Sequence, residues 1–319
     1  MNKLKSFLED SLKINIKKLV PLSGGASAEI NKIILDSGIE YILRRSAFKS
    51  NSPLAISKSV ESNIQREVLK LGAPVPKIIF DFNEKNEIGE GYVMQYISGE
   101  TIPRKILRDK NFDSCRNKLL FQIGSALAKI HSTPINNLAD VKKISFHDSL
   151  DNLYKIYLSF DKSQPVFDLA FKYLSKIEIE SFDKVLVHGD FRLGNFIISN
   201  KGLESVIDWE LAHIGNPIED LAWLCVKSWR FGNINQRAGG LGSVEKLLNG
   251  YNSVSDLVIN NSQLNLWQMF GTLKWGIICM VQTFGHLSGD IKSIEKAAIG
   301  RRVSETELDL MEMMKNNTF

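Results

Sequence analysis

The chain is poor in cysteine and proline and contains no long apolar run. Its three cysteines, Cys115, Cys225 and Cys279, lie far apart among 319 residues. That spacing excludes a Cys-x-x-Cys site, and the odd number argues against a secreted disulfide framework. No stretch approaches the roughly 20 apolar residues that cross a bilayer. We therefore expect a protein of a reducing, cytoplasmic compartment that does not bind a membrane.

The chain also lacks a large excess of charge of either sign. The chain has 40 Lys and Arg residues and 36 Asp and Glu residues, a net charge of +4. No long block of either sign stands out, so nucleic-acid binding is not indicated. The first residues mix both signs with apolar positions and lack a signal-peptide core. At this length we expect two units of about 150 residues.

One stretch, residues 185–222, carries the candidate functional residues, and it begins with an apolar run of three. The run, Val185 to Val187, predicts a buried strand that ends abruptly at the triplet His-Gly-Asp, 188–190. Two further strand-like segments, 196–199 and 203–207, lie on either side of an Asn-Lys-Gly turn. The stretch is therefore predicted to fold back on itself as a hairpin.

Three oxygen-bearing side chains are expected to meet at the open end of this hairpin. Asn195 enters its first strand and Asp208 leaves its second, while Asp190 lies in the preceding loop. One carboxylate can accept the proton of a hydroxyl, while an amide and a second carboxylate can supply oxygen ligands for Mg²⁺. A capped turn would explain any one of these residues, but the joint spacing favours phosphoryl transfer from a nucleotide.

Two segments carry a resemblance to a known family: HGDFRLGN at 188–195 and DWELAHIGNP at 208–217. They resemble the aminoglycoside phosphotransferase-like kinases, relatives of the protein kinases, and most of all the subgroup associated with acyl-CoA dehydrogenases. The resemblance implies an α+β, bilobal protein-kinase-like fold. A nucleotide-binding lobe (1–97) with an antiparallel sheet and a helix would precede a mainly helical catalytic and substrate-binding lobe (98–319). It also implies a kinase of small hydroxylated molecules that uses ATP and Mg²⁺.

The resemblance gives single residues of the stretch their roles. Asp190 corresponds to the catalytic base, and Asn195 and Asp208 correspond to the Mg²⁺ ligands. Arg192 falls where many kinases place a cation beside the transferring phosphate. Asp220 matches the family's Asp-Leu-Ala and is expected to hold the catalytic loop from the start of a helix.

A loop of small residues near the N-terminus is the candidate phosphate loop. Its residues are Ser23, Gly24, Gly25, Ala26 and Ser27, and two strand-like segments flank it. The backbone amides of such a loop can approach a polyphosphate closely. By itself, a Gly-Gly pair is more often a plain hairpin turn.

The phosphate-pairing cation is expected on the third strand of the first lobe. By resemblance Arg44 fits this role best, and the adjacent Arg45 is the alternative. The pattern predicts a helix over 59–71, on which Glu67 is the candidate partner of Arg44. A solvent-exposed glutamate is the plainer interpretation of Glu67.

An apolar run that ends near Ile97 is the candidate hinge between the lobes. In a kinase, backbone groups of Gln95 and Ile97 would bind the edge of adenine, and Met94 would lie behind the base. The run is also compatible with an ordinary strand of the sheet core. Its place between the two halves favours the hinge.

Two other functions remain open. His188, Asp190, Asp208 and His213 together could bind one or two metal ions in a hydrolase. That interpretation leaves Asn195, the small-residue loop and the hinge-like run unexplained. A nucleotide-binding module without catalysis is disfavoured because the base and both magnesium ligands are present.

The acceptor is expected to be small and anionic. Pro217 follows Asp208 within nine residues, which leaves no room for the long segment that docks peptides in protein kinases. The charged residues of 223–243 are all cationic and interleave with aromatic residues, which suits a carboxylate or phosphate on an apolar body. A hydroxy acid or a hydroxyacyl-CoA would fit, and a solvated basic loop is the alternative. The candidate contacts are Trp209, Glu210, Lys227 and Arg230.

Overall fold

A computed structural model describes residues 2–22, 28–46, 55–83, 88–179, 182, 184–257, 259, 261–290 and 292–316. The fold has two lobes. A five-stranded antiparallel sheet with a helix packed on it forms the first, and a larger, mainly helical part forms the second. The predicted α+β fold with two lobes is confirmed.

The sheet of the first lobe has the strand order β1-β2-β3-β5-β4, and all its neighbours are antiparallel. Apolar side chains that alternate along β2 pack with Leu4 and Leu8 of the first helix, because a strand presents every second residue to one face. The elements are α1 (Asn2–Leu12), β1 (Ile16–Pro21), β2 (Glu29–Leu35), β3 (Glu40–Ser46), α2 (Lys58–Lys70), β4 (Ile78–Phe82) and β5 (Glu90–Gln95).

Helix α2 packs on the other face of this sheet. Ser57 caps its start by accepting a hydrogen bond from the Val60 amide at 3.3 Å. Residues 61, 64, 65 and 68 are buried, and this spacing of three and four residues defines one face of a helix. One member of that buried face, Glu61, is a carboxylate.

The second lobe is built around the long helix α9, which packs against α7, α10 and α11. Helices α4 and α8 approach so closely that a Cβ added at Gly124 or Gly250 would overlap the backbone of the other helix. Among the described residues, no helix is long and apolar enough to cross a membrane. The helices are α3 (Pro103–Arg108), α4 (Asp113–His131), α5 (Phe146–Leu158), α6 (Pro165–Leu174), α7 (Ile218–Cys225), α8 (Val244–Asn252), α9 (Asn261–Leu287), α10 (Ile294–Ile299) and α11 (Arg302–Lys315).

Two short strand pairs belong to the second lobe, and both pack against α4. The predicted hairpin is confirmed as β7 (Phe196–Ser199) and β8 (Gly202–Val206). The predicted strand β6 (Val185–Val187) pairs with β9 (His213–Gly215), a strand that the sequence did not indicate. The chain that leaves the first lobe joins this hairpin, because Glu100 and Ile198 exchange two backbone hydrogen bonds at 2.8 and 3.0 Å.

Candidate active site

One buried carboxylate holds the backbone of the loop after β6. Asp220, in the first turn of α7, accepts hydrogen bonds from the backbone amides of His188 (2.7 Å) and Gly189 (2.9 Å). Gly189 has φ +82°, and a side chain there would collide with the backbone of Leu211. The predicted bracing role of Asp220 is confirmed, and His131 supports it through a 3.2 Å contact to the same carboxylate.

Asp190 extends from this loop and receives three side-chain hydrogen bonds. Its Oδ1 accepts from the Trp223 indole at 2.7 Å and from Arg192 Nε at 2.9 Å, and its Oδ2 accepts from Asn195 Nδ2 at 2.7 Å. The Asp190 side chain is 18% exposed. Three donors on one partly exposed carboxylate fix its orientation.

Asn195 and Asp208 face each other across the open end of the hairpin. The backbone amide of Ile207 donates to Asn195 O at 2.9 Å, which places Asp208 beside Asn195 as expected. Because Asn195 turns its amide nitrogen to Asp190, its Oδ1 points away from that contact. An amide oxygen and a carboxylate are hard donors of the kind that Mg²⁺ prefers, so these residues fit the predicted ion.

Arg44 lies behind these residues in a nearly closed network of carboxylates. Its Nη2 donates to Asp208 at 2.6 Å and to Glu210 at 2.9 Å, and its Nε donates to Glu61 at 3.1 Å. Burial opposes the charge of Arg44, which is 5% exposed, but Glu61 and Asp208 outweigh burial and raise its pKa. Asp208 itself has φ +71°, a left-handed backbone that is unusual outside glycine and costs about 1–3 kcal/mol.

The family model described as "phosphotransferase enzyme family" matches residues 18–252 of the chain. The chain belongs to this family. Among solved structures, the chain is similar in fold to a candidate aminoglycoside phosphotransferase from Ralstonia eutropha, with a TM-score of 0.76, 19% identity and coverage of 99% of this chain and 98% of that one. It is also similar to spectinomycin phosphotransferase in complex with ADP and spectinomycin, with a TM-score of 0.65, 13% identity and coverage of 97% and 98%.

Curated relatives carry the name of a different enzyme class. The chain is 28% identical over 256 residues to acyl-CoA dehydrogenase family member 11 of Pongo abelii, a match that covers 74% of this chain and 32% of that protein. The phosphotransferase thus spans about a third of the length of the relative it matches. The predicted resemblance to aminoglycoside phosphotransferase-like kinases, and to the acyl-CoA dehydrogenase subgroup, is confirmed.

Glu61, and not Glu67, is the partner of Arg44. Glu67 lies on the outer face of α2, where it contacts Lys70 and accepts from Asn137 at 2.9 Å. Glu61 is fully buried and also binds Lys58 and the Tyr92 hydroxyl. The prediction for Glu67 was wrong because the apolar spacing of α2 turns Glu61 toward the sheet, a signal that the sequence already contained.

The candidate nucleotide loop and hinge are described only in part. The loop of Ser23, Gly24, Gly25, Ala26 and Ser27 lies outside the described residues. Met94 belongs to β5 and pairs with Ile42 and Ile78, within the sheet. The amide of Gln95 donates to Lys77 O at 2.9 Å, so this N–H is not available to a base. Ile97 lies two residues after the end of β5 and remains the predicted contact of the adenine edge.

The four residues of the hydrolase hypothesis do not form a metal site. His188 Nε2 lies 3.1 Å from Ile207 O, and His213 Nε2 lies 3.1 Å from Glu219. In the part of the chain that the structure describes, there is no group of three or more His, Cys, Asp or Glu side chains placed so that it could hold a metal ion. The histidines instead brace the backbone of the catalytic loop and of β9.

Two of the predicted acceptor contacts lie elsewhere. Trp209 is 0% exposed and packs on His188 with ring centroids 4.6 Å apart, so it belongs to the core and cannot touch a substrate. Glu210 forms an ion pair with Arg44 at 2.9 Å. The left-handed turn at Asp208 sends Trp209 inward, a change of direction that the residue pattern does not reveal.

Lys227 and Arg230 also point away from Asp190. They lie in a 3-10 turn, 227–230, in which residues three apart share a side, and Trp229 occupies another side. Trp229 packs under Arg192, with the guanidinium carbon 4.5 Å from the ring centroid. Lys227 forms ion pairs with Asp309 and Glu312 of α11. Acidic side chains therefore do lie near the segment 223–243, but they belong to a distant part of the chain.

Sequence analysis noted the aromatic residues of 223–243 but gave no functional role to Trp275 or Lys274. Trp223, Trp229 and Trp275 pack together, with centroid distances of 5.3 Å and 4.6 Å between successive rings. Lys274 Nζ lies 5.0 Å from the centroid of Trp223 and 3.3 Å from Glu219. The aromatic residues beside Arg192 are thus a shared wall of α7, the 3-10 turn and α9. Its formation depends on packing between segments about 50 residues apart.

Proposed function

We propose that this phosphotransferase transfers the γ-phosphate of ATP, with Mg²⁺, to a hydroxyl of a small molecule. One observation carries the proposal: Asp190 is held by three donors at the open end of the hairpin, beside Asn195 and Asp208. A base of fixed orientation next to two oxygen ligands is the arrangement that in-line phosphoryl transfer needs. The family and the fold support transfer to a small molecule.

In the proposed reaction the acceptor hydroxyl lies against Asp190. The carboxylate orients the hydroxyl and takes its proton as the oxygen bonds to the γ-phosphorus, and the bond from this phosphorus to the bridging oxygen of ADP breaks. Asn195 and Asp208 would hold Mg²⁺, which neutralises charge on the phosphate oxygens. Arg192, fixed between Asp190 and Trp229, lies where it can pair with the transferring group.

On the nucleotide side we assign the phosphates to Arg44 and to the loop of residues 23–27, and the adenine edge to backbone groups of Ile97. Arg44 bridges Glu61 and Asp208, so it connects helix α2 of the first lobe to the metal position. We place the division between the lobes after Ile97, where β5 has ended and the chain joins the hairpin.

We further propose an acceptor with an apolar body and an anionic group, such as a hydroxy acid or a hydroxyacyl-CoA. The aromatic cluster of Trp223, Trp229 and Trp275 is partly exposed at Trp275, and Arg192 and Lys274 supply positive charge beside it. Lys227 and Arg230 do not support an anionic acceptor, because they point away from Asp190. The names of the curated relatives agree with an acyl-CoA-like acceptor, although this chain spans only about a third of their length.

An ATP-consumption screen tests the proposal. The purified chain would be incubated with ATP, with and without Mg²⁺, over a panel of hydroxylated metabolites that includes hydroxy acids, hydroxyacyl-CoA esters and kanamycin-like polycations. We expect Mg²⁺-dependent formation of ADP and of a phosphorylated product with an anionic acceptor. Faster turnover of the polycations would contradict the anionic acceptor, and robust phosphorylation of a generic protein would contradict the small-molecule acceptor.

A further inference from the structure

A second cavity lies on the side of the 3-10 turn that faces away from Trp229. Its volume is about 510 Å³, within the range of small-molecule pockets, and α9, α11 and the loop after the turn complete its walls. Its lining includes neither the catalytic loop nor the Arg44 network. The charged and amide side chains that matter are Lys227, Arg230, Arg237, Gln268, Asp309 and Glu312.

The cations of this cavity differ in how their charge is balanced. Lys227 is paired with both Asp309 and Glu312. Arg230 donates only to the backbone oxygens of Ile234 (2.8 Å) and Cys225 (3.0 Å), and its buried Nε has no partner among the described residues. Neutral oxygens alone therefore hold Arg230.

Arg237 is held in the same way. Its Nε donates to Gln268 at 3.0 Å, and its Nη2 donates to Asn265. Within the described ranges, no carboxylate forms an ion pair with either arginine. Burial, together with the like charge of Arg237, lowers the pKa of Arg230, against weaker opposing effects from Cys225 and Asp309. The two guanidinium groups thus share a half-buried space in which, among the described residues, neither has a carboxylate ion-pair partner, because Asp309 and Glu312 are paired with Lys227.

An anion between Arg230 and Arg237 would offset the cost of burying two like charges. Burying a cation without a partner is costly, and the planar fork of arginine matches the oxygens of phosphate in pairs. The arginines are also fixed before a ligand arrives. Gly240, with φ +74°, lets the loop lie against Arg230, since a Cβ there would come within 2.5 Å of Arg230 O.

We propose that this cavity binds a phosphate-bearing small molecule through Arg230 and Arg237. Two guanidinium groups suit the nearly double charge of a phosphate better than the single charge of a carboxylate. Asp309 and Glu312, already bound to Lys227, repel an anion from the opposite wall and so confine it to the arginine side. The phosphate belongs either to a distal part of the acceptor or to a separate ligand.

Titration calorimetry with inorganic phosphate tests the site. The chain would be saturated with ADP, and chloride would hold the ionic strength constant, so that phosphate reports on the cavity whether or not the proposed kinase activity holds. We expect saturable binding to the native chain, at least tenfold weaker binding to Arg237→Gln, and partial recovery in Arg237→Lys. Lys172→Gln, an exposed position on α6, should bind like the native chain.

Two results would overturn the proposal: no saturable phosphate binding by the native chain, or equal affinity in Arg237→Gln and the native chain. The unfolding midpoint of each variant shows that it is folded. Kinetics with a confirmed acceptor then separate the two sources. A raised acceptor KM in Arg237→Gln with unchanged kcat assigns the phosphate to the acceptor. An unchanged acceptor KM, with phosphate raising the Tm of the native chain but not of the variant, assigns it to a separate ligand.

Discussion

The catalytic hairpin and the basic segment 223–243 differ in where their partners come from. In the hairpin, Asn195 binds Asp190 five residues away, and β7 pairs with β8 across a tight turn. In the basic segment, Arg237 binds Gln268, 31 residues away, and Lys227 binds Asp309, 82 residues away. Chemistry that is assembled from local contacts can be predicted from the residue order, whereas chemistry assembled by packing of distant helices cannot.

The largest expected effect lies in the hairpin. Asp190→Asn removes the proton acceptor and keeps the size of the side chain, so turnover should fall by at least ~100-fold. Nucleotide binding should persist because Asn195, Asp208 and Arg44 are untouched. Steady-state ATP turnover with a confirmed acceptor measures the loss, and Asp151→Asn on the exposed side of α5 is the control. Normal turnover in Asp190→Asn would show that the catalytic loop is misassigned.

The network behind the hairpin should respond next most strongly. Glu61→Gln leaves the buried charges of Arg44 and Lys58 without their shared carboxylate, so the free energy of unfolding should fall by about 3 kcal/mol. Glu67→Gln on the same helix should change it by less than about 1 kcal/mol, because its ion pair with Lys70 lies at the surface. Chemical denaturation compares the two variants. Equal losses would contradict the assignment of Glu61 as the partner of Arg44.

A smaller effect is expected where the aromatic wall meets the base. Trp223→Phe removes the indole donor to Asp190, and a hydrogen bond to a charged group contributes about 1.5–3 kcal/mol. We expect kcat to fall by roughly tenfold or more while the KM for ATP stays unchanged. Trp267→Phe is the matched control, since that indole lies in the core of α9 and makes no hydrogen bond within the described structure. An equal fall in both variants would mean that Trp223 acts through packing alone.

The smallest effect concerns the buried pair of His213 and Glu219. Burial opposes both charges, but their mutual attraction raises the pKa of His213 and lowers that of Glu219 to about 2. The charge of His213 contributes fully to the free energy of unfolding below the pKa of about 6.5 that histidine has in the unfolded chain. This contribution is lost as pH rises through the higher pKa of His213 in the folded chain. The contribution of the Glu219 charge to the free energy of unfolding is lost only as pH falls toward 2. Unfolding measured from pH 5 to 9 should therefore show a decline above about pH 6.5 that His213→Gln lacks.

Sequence analysis predicted the fold and the meeting of three candidate side chains at the hairpin for physical reasons. The strand-turn-strand pattern brings Asp190, Asn195 and Asp208 together through contacts within 20 residues. It also predicted α1, α2 and most strands, whose apolar periodicity reflects burial on one face. Strand β9 was missed because its three residues, His-Ile-Gly, do not form an apolar run like the Val-Leu-Val of β6.

The acceptor side could not be predicted in the same way. The inward turn that buries Trp209 depends on a left-handed backbone at Asp208, a conformation that residue type does not specify. The pairing of Lys227 with α11 and the stacking of Trp229 on Trp275 depend on how helices dock. Glu61 was within reach of the sequence, since it shares the buried spacing of Ile64 and Val68.

Thermal stability with ATP, measured with and without Mg²⁺, tests the central claim most directly. A ligand that binds only the folded chain raises its Tm by mass action. We predict an ATP-dependent rise that requires Mg²⁺ in the native chain and in Asp190→Asn, and its loss in Asp208→Asn. A Mg²⁺-dependent rise that survives in Asp208→Asn, or is absent from the native chain, would contradict the assignment of this hairpin as a magnesium-nucleotide site.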